Sequence, residues 1–197
     1  MINDQQIRSF IAVELPTDLK SAIQQLQVEL KPSTNRFINW VAPQAIHITF
    51  KFLGNISLDM VPVITEAIEE VSNDTLQFQI NTGGLGAFPN LKNPRVLWMG
   101  FSGELDKLIN LQQQIDNSLL KLGFPKETRL FSPHVTIARV RDGATALERK
   151  LFGELVMTKT LGVNYKIFIN SIRLMRSQLK PTGAVYSCLS DILLKKR

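Results

Sequence analysis

The 197-residue sequence is poorest in the side chains that usually carry cross-link and cofactor chemistry, with one cysteine, two histidines, two tryptophans and two tyrosines. A lone Cys188 closes no disulfide within the chain and suits a reducing compartment, where it is expected to be a small buried residue. Two histidines without a cysteine cluster fall short of the three protein ligands of a catalytic zinc site, so neither a metal nor another cofactor is expected. No Gly-x-Ser-x-Gly turn is available for a serine hydrolase. The glycines of Thr82-Gly83-Gly84-Leu85-Gly86-Ala87-Phe88-Pro89 are not followed by Gly-Lys-Ser/Thr at a helix start. A bent connection between strands therefore explains them better than a phosphate-cradling loop. Apolar runs stop well short of the about 20 residues of a membrane helix, and Met1–Gln6 is too polar for a signal peptide. A cytoplasmic protein with no membrane partner is expected. Acidic residues are also in deficit, 17 against 23 Lys and Arg. The net charge of +6 favours an anionic partner. Lys195-Lys196-Arg197 reads as a solvated tail.

What the chain does have is a repeated pattern. In Ile46-His47-Ile48-Thr49-Phe50-Lys51-Phe52 the apolar residues fall at every second position, the period of a half-buried strand, so His47 and Thr49 share a face. His134-Val135-Thr136-Ile137 does the same nearly half a chain later. Both histidines of the protein thus stand two residues before a threonine, which points to one shared four-group site.

Around these strands the chain alternates. Arg8–Leu15 reads as a strand stopped by Pro16, and a helix capped by Thr17 carries Leu19, Ile23, Leu26 and Leu30 until Pro32 ends it. Lys31–Asn35 makes a turn, Phe37–Val41 a strand, and Gly54-Asn55 closes the first histidine strand. Ser57 caps a helix with the stripe Val61, Ile64, Ile68 and Val71, and Pro62 is tolerated in its first turns. Leu76–Ile80 and Arg95–Met99 read as strands, and Leu105 to Leu122 as a helix ended by Gly123 in a left-handed cap. A fourth helix spans about Thr145 to Leu155 with Leu147, Leu151 and Leu155 on one side. Tyr165 to Met175 and Ala184 to Leu189 pair about a turn at Lys180-Pro181-Thr182-Gly183. A hydrophobic content of 44% supplies a substantial core. One His-x-Thr strand in each half implies an α+β duplication: two antiparallel sheets related by a pseudo-twofold, the motif strands lining the groove between them, and helices outside.

Imidazoles have an ordinary pKa near 6.5, so a pair can hold one proton between them at neutral pH. That suits in-line displacement at phosphorus, one ring taking a proton from the nucleophile and the other giving one to the leaving oxygen. Threonine hydroxyls and a guanidinium can bind the non-bridging oxygens.

These residues resemble the two-histidine (2H) phosphoesterases, and among them the RNA 2′,3′-cyclic phosphodiesterases, also called 2′-5′ RNA ligases. The likeness runs through Arg8–Val13, Trp40-Val41, His47–Gly54, Gly86-Ala87-Phe88, Arg95–Trp98, Pro133–Arg139 and Arg176–Tyr186. It implies a single bilobal domain over 1–197, a monomer, and hydrolysis of RNA 2′,3′-cyclic ends, tRNA fragments among them, to 2′-phosphates. The same exchange would join a 2′,3′-cyclic end to a 5′-hydroxyl through a 2′-5′ bond without ATP. It further implies His47 as acid, His134 as base, Thr49 and Thr136 on the phosphate oxygens, and Arg139 on the phosphate or the adjacent nucleotide. Strict alternation puts Arg139 opposite Thr136, so a bulge or the strand's end has to re-aim it. Phe10, Phe88 and Phe131 are candidate platforms for a base. Two rivals are the same chemistry on an ADP-ribose cyclic phosphate or a 2′-5′ oligonucleotide, and a basic RNA-binding module whose histidines are structural.

Overall fold

A computed structural model describes residues 6–34, 36–180 and 183–196. Among the described residues, period-2 segments become nine strands and period-3.6 segments four α-helices. Their order is β1 (Ile7–Glu14), α1 (Thr17–Thr34), β2 (Ile38–Trp40), a 3-10 turn (Pro43–Ala45), β3 (His47–Ile56), α2 (Met60–Asp74), β4 (Phe78–Phe88), β5 (Val96–Gly103), α3 (Leu105–Leu120), β6 (His134–Val140), α4 (Ala146–Met157), β7 (Lys166–Ile169), β8 (Ser171–Lys180) and β9 (Gly183–Leu193). They form two antiparallel sheets, one ordered β3-β1-β8-β9 and the other β2-β6-β5-β4-β7.

The connectivity repeats. In each half a strand leads through a helix to a motif strand that pairs antiparallel with it, β1 with β3 and β5 with β6. The helices are exchanged between the halves. The first sheet is backed by α2 and α3, through contacts with β8, β9 and β3, while α1 and α4 lie together on the second. A large apolar core results, in which Leu19, Ile23 and Leu30 of α1, Ile64 and Ile68 of α2, Leu108 and Ile115 of α3 and Phe152 of α4 are all fully buried, and Phe10, Ala12 and Met175 form a smaller cluster apart from it. The motif strands β3 and β6 come into contact where the two sheets meet.

Several expectations are corrected. Helix α1 runs through Pro32 to Thr34, because the ring forfeits one bond near the helix end, opposite the exposed Val28, and the Thr34 hydroxyl recovers a bond to the Leu30 carbonyl at 2.6 Å. Strand β3 passes Gly54, which takes φ +72°, and ends at Ile56 paired with Ile7. Helix α2 starts at Met60, behind Asp59 rather than Ser57, with no side-chain cap bond. Thr82 to Phe88 is no connection but the body of β4, whose pairing with β5 skips between Thr82 and Leu85. In α4 Leu147 and Leu151 face out, both more than half exposed, while Leu155 packs against the core beside the buried Phe152 and Val156. Thr145 and Glu148 close a capping box at its start.

The expected long strand from Tyr165 breaks at Asn170, so that β7 stays in the second sheet and β8 joins the first. Cys188 is exposed. Lys195 is tied by its backbone to Gln77 and Thr75. Gly123 takes the expected left-handed conformation at φ +88°. Asn35 and the Pro181-Thr182 pair of the expected turns, the opening residues 1–5 and Arg197 lie outside the described residues. Among the described residues no helix is long and apolar enough to cross a membrane.

Candidate active site

The seven residues His47–Leu53 and the seven residues His134–Val140 share one burial pattern: half-buried histidine, buried, half-buried threonine, two buried, one exposed, one buried. Two adjacent buried positions are a departure from alternation, and the pairing shows why. Thr49 faces Ala12 while Lys51 faces Ile11, leaving Phe50 extra, and Thr136 faces Trp98 while Ala138 faces Leu97, leaving Ile137 extra. Each motif strand therefore bulges directly after its threonine. The bulge returns the exposed position to the side of the histidine and threonine. In the second half that position is Arg139, which thereby escapes the face that strict alternation gave it. In the first half it is Phe52, 62% exposed.

Both bulges are braced by a buried amide of the opposite half. Gln27 of α1 donates to the Val41 carbonyl at 2.8 Å and the Ile137 carbonyl at 3.2 Å. Gln112 of α3 donates to the Phe50 carbonyl at 3.5 Å.

Each imidazole is also held alike. His134 Nδ1 stands 2.7 Å from the Ser132 carbonyl, which can only accept, so Nδ1 carries the proton and Nε2 is left for chemistry. A ring N–H of His47 donates to the carbonyl of Ala45, again two residues back. Each ring lies against two aromatic side chains. Phe10 stacks on His47 with centroids 4.6 Å apart and Tyr186 meets it edge-on at 5.1 Å. Phe88 meets His134 edge-on at 5.1 Å, and Trp98 is 6.5 Å away. Trp98 lies flat across Gly86, where a Cβ would come within 2.3 Å of the indole. This accounts for Gly86, whereas Gly83 lies against the Gly100 backbone, where a Cβ would come within 3.0 Å.

The two halves differ in electrostatics. Burial pushes the His47 pKa down to about 4, the Ala45 carbonyl opposing and the Lys20 charge assisting. His47 is thus neutral at pH 7. Behind it Lys20 pairs with Glu14, whose other oxygen takes Arg173 at 3.3 Å, and Arg173 also reaches Asp191 at 3.2 Å. Burial, then Arg173, lowers the Lys20 pKa. A second ion pair ties the motifs together from the core side. Lys51, 2% exposed, pairs with Asp116 of α3 and donates to the Pro125 carbonyl at 2.6 Å, while Asp116 accepts the Glu127 N–H at 3.1 Å. Motif one thereby anchors the segment that delivers His134.

Of the residues singled out in the sequence, His47, Thr49, His134, Thr136 and Arg139 occupy the equivalent half-buried or exposed positions of two touching strands. Phe10 and Phe88 flank the histidines, whereas Phe131 packs on Phe50 at 5.8 Å against the core. Sequence reasoning missed Tyr186, Trp98, Lys20, Glu14 and Arg173. Glu14 left a trace as the polar member of the Phe10, Ala12, Glu14 alternation, and Trp98 and Tyr186 close two of the stretches that carry the family likeness. Among the described residues no three His, Cys, Asp or Glu side chains gather as a metal-ion set.

Two stretches, 13–98 and 102–186, match the family model of LigT like Phosphoesterase, one around each His-x-Thr strand. The chain belongs to that family. Among LigT like phosphoesterases, it is 35% identical over 156 residues to an RNA 2′,3′-cyclic phosphodiesterase of Aquifex aeolicus, covering 79% of this chain and 81% of that one. It is 31% identical over 188 residues to the protein of the same name from Methanothermobacter thermautotrophicus, covering 92% and 96%. A crystal structure from Thermus thermophilus superposes with a TM-score of 0.76 at 26% identity, over 96% of this chain and 99% of that one.

Proposed function

We infer that this protein hydrolyses the 2′,3′-cyclic phosphate at an RNA end to a 2′-phosphate, with His47 and His134 as its acid–base pair and with no need of metal or ATP. The observation that carries this reading is the twin arrangement of the two bulged His-x-Thr strands, and the names of the relatives support the substrate. Water attacks phosphorus as the bond to O3′ breaks. One imidazole takes the water proton and the other gives a proton to O3′, so the products are a 2′-phosphate and a 3′-hydroxyl. A 5′-hydroxyl in place of that water makes a 2′-5′ bond, which is RNA ligation without ATP. Thr49, Thr136 and Arg139 hold the non-bridging oxygens as charge builds on them. Residues 1–197 act as one catalytic monomer on RNA, tRNA fragments included.

The acid role for His47 carries a condition. Its ring is neutral in the ligand-free site, so it serves as acid only by taking up a proton when the phosphate anion arrives beside it. If it stays neutral in the complex, His47 is the base and His134 the acid.

The test is incubation of the whole protein, with chelator and without ATP, with a short RNA ending in a 2′,3′-cyclic phosphate, followed by chromatographic identification of the product. A 2′-phosphate that both His47→Ala and His134→Ala fail to make supports the reading. A 3′-phosphate reverses the bond that is broken, and unchanged RNA removes the assignment.

A further inference from the structure

The face of the second sheet that carries His134 and Thr136 continues past them as a cationic strip. The bulge after Thr136 brings Arg139 onto that face, and Arg141 follows two residues later, both exposed with Val140 buried between them. Asn39, the register partner of Arg139 on β2, is exposed beside them and accepts the Arg141 Nε–H at 2.9 Å. That bond fixes the side to which Arg141 points, and its Nη1 and Nη2 make no bond among the described residues. Neither arginine has an ion pair there. Asp142 follows in the turn and pairs with neither, and Glu148 is taken by Arg36 at 3.2 Å and by Thr145. The turn itself is tightly held. Arg141 donates its N–H to the Phe37 carbonyl at 2.8 Å, and Arg149 of α4 gathers the carbonyls of Pro94, Arg141, Asp142 and Ala144 at between 2.9 and 3.3 Å. Arg149 thus adds a third positive charge that no carboxylate offsets.

We propose that Arg141 is a second phosphate site: it binds the phosphodiester on the 5′ side of the nucleotide that carries the cyclic phosphate, one strand step beyond the phosphate that Thr136 and Arg139 hold. The proposal rests on the RNA reading above. Two residues of strand advance about 7 Å, which is near the distance between successive phosphates of an extended single strand. A guanidinium offers a planar pair of donors that matches two phosphate oxygens, and Arg141 keeps such a pair after its bond to Asn39. Asn39 orients the group, and the clamped turn holds its backbone still, so little freedom is lost when the phosphate arrives. Contacts of this kind place a strand without reading its bases. The site therefore distinguishes an RNA end from a cyclic mononucleotide, which has no such phosphodiester, and not one sequence from another.

The test uses the full chain in two arms. In the first, the Kd of a trinucleotide ending in a 2′-phosphate is measured by calorimetry over a series of salt concentrations. Affinity falls with salt on a log–log line, and Arg141→Gln is expected to make that line shallower by about 0.7, the share of one single-strand phosphate contact, while Arg141→Lys keeps the slope. In the second, kcat/KM is compared for a trinucleotide 2′,3′-cyclic phosphate and for adenosine 2′,3′-cyclic phosphate. Arg141→Gln is expected to reduce the preference for the trinucleotide by about 10-fold, within the range of one hydrogen bond to a charged group, through KM and not kcat. A wild type without that preference, or a slope or preference untouched by Arg141→Gln, overturns the site. A slope that Arg141→Lys lowers as much as Arg141→Gln also overturns it, because the side chain is then a brace for Asn39. Should the wild type turn over neither substrate, the enzymatic reading falls while the first arm still decides where the phosphodiester binds.

Discussion

Gln27 and Gln112 hold equivalent places in opposite halves, each donating from a helix to the carbonyl that follows a motif threonine on the other half's strand, Ile137 for Gln27 and Phe50 for Gln112. Both side chains are buried, at 1% and 5% exposure. A bulge disturbs the ladder, and the buried carbonyls beside it have to be paired; Ile137 also accepts the Val41 N–H at 3.0 Å, and Gln27 adds a second donor. The glutamines make the bulges affordable.

Gln27→Leu is expected to destabilise the protein by about 1–3 kcal/mol, the cost of taking the side-chain donor from the Val41 carbonyl while the Ile137 carbonyl keeps the Val41 N–H. Gln112→Leu is expected to cost less, since its one bond is long. Urea denaturation of the two variants checks the order, and an inverted order would remove the bracing role from Gln27.

His47 makes stability depend on pH. Its folded pKa of about 4 lies below the ordinary value near 6.5, so between these limits the unfolded chain binds more protons than the folded one. Stability is then full above about pH 6.5 and is lost as the pH falls towards 4, by about 3 kcal/mol at most. Denaturation of wild type and His47→Gln at pH 7 and pH 4.5 isolates this share. A wild type no more sensitive than the variant would place the imidazole in a more solvated setting.

Lys51 and Asp116 form a core ion pair that links motif one to the segment before His134. Removing one partner, as in Lys51→Met, is expected to cost about 3–5 kcal/mol, because the other charge stays buried alone. The double variant Lys51→Met/Asp116→Leu is expected to regain part of that loss while turnover stays low, the Pro125 carbonyl and Glu127 N–H having lost their anchors. Thermal melting with kinetics on the same samples tests both, and full turnover in the double variant would make the link purely structural.

Gly86→Ala drives a methyl group into Trp98. The indole has to leave the sheet face, at a cost of about 1–3 kcal/mol for overpacking, and the contact with His134 goes with it. Tryptophan fluorescence reports the movement, and an unchanged spectrum would mean that β4 yields in its place.

The motif strands were legible because two histidines in one chain stood at the same offset from threonines in period-2 segments. That reading carried the fold class and His47, Thr49, His134 and Thr136, and the family resemblance added Arg139. The need for a bulge near Arg139 could also be read from alternation, but its position could not, since an extra residue alters pairing and leaves the spacing of side-chain types intact. Helix α4 misled because leucines at 147 and 151 have the right period, while the face that packs is set by Phe152 and Val156. Gly83 and Gly86 looked like parts of a loop because their reasons, the Gly100 backbone and the Trp98 ring, come from the neighbouring strand. Tyr186, Arg173 and Lys20 reach His47 from distant segments, which no local pattern signals.

The exchange of helices has a consequence for how the chain can be divided. Helix α1 follows a strand of one sheet and covers the other, α3 does the reverse, and β8 and β9 cross back at the end. A cut between the two family matches would give fragments that each expose the inner face of a motif strand and offer a helix with nowhere to lie. Such fragments could complete their cores only by clasping one another, as two hands do when the fingers interlace.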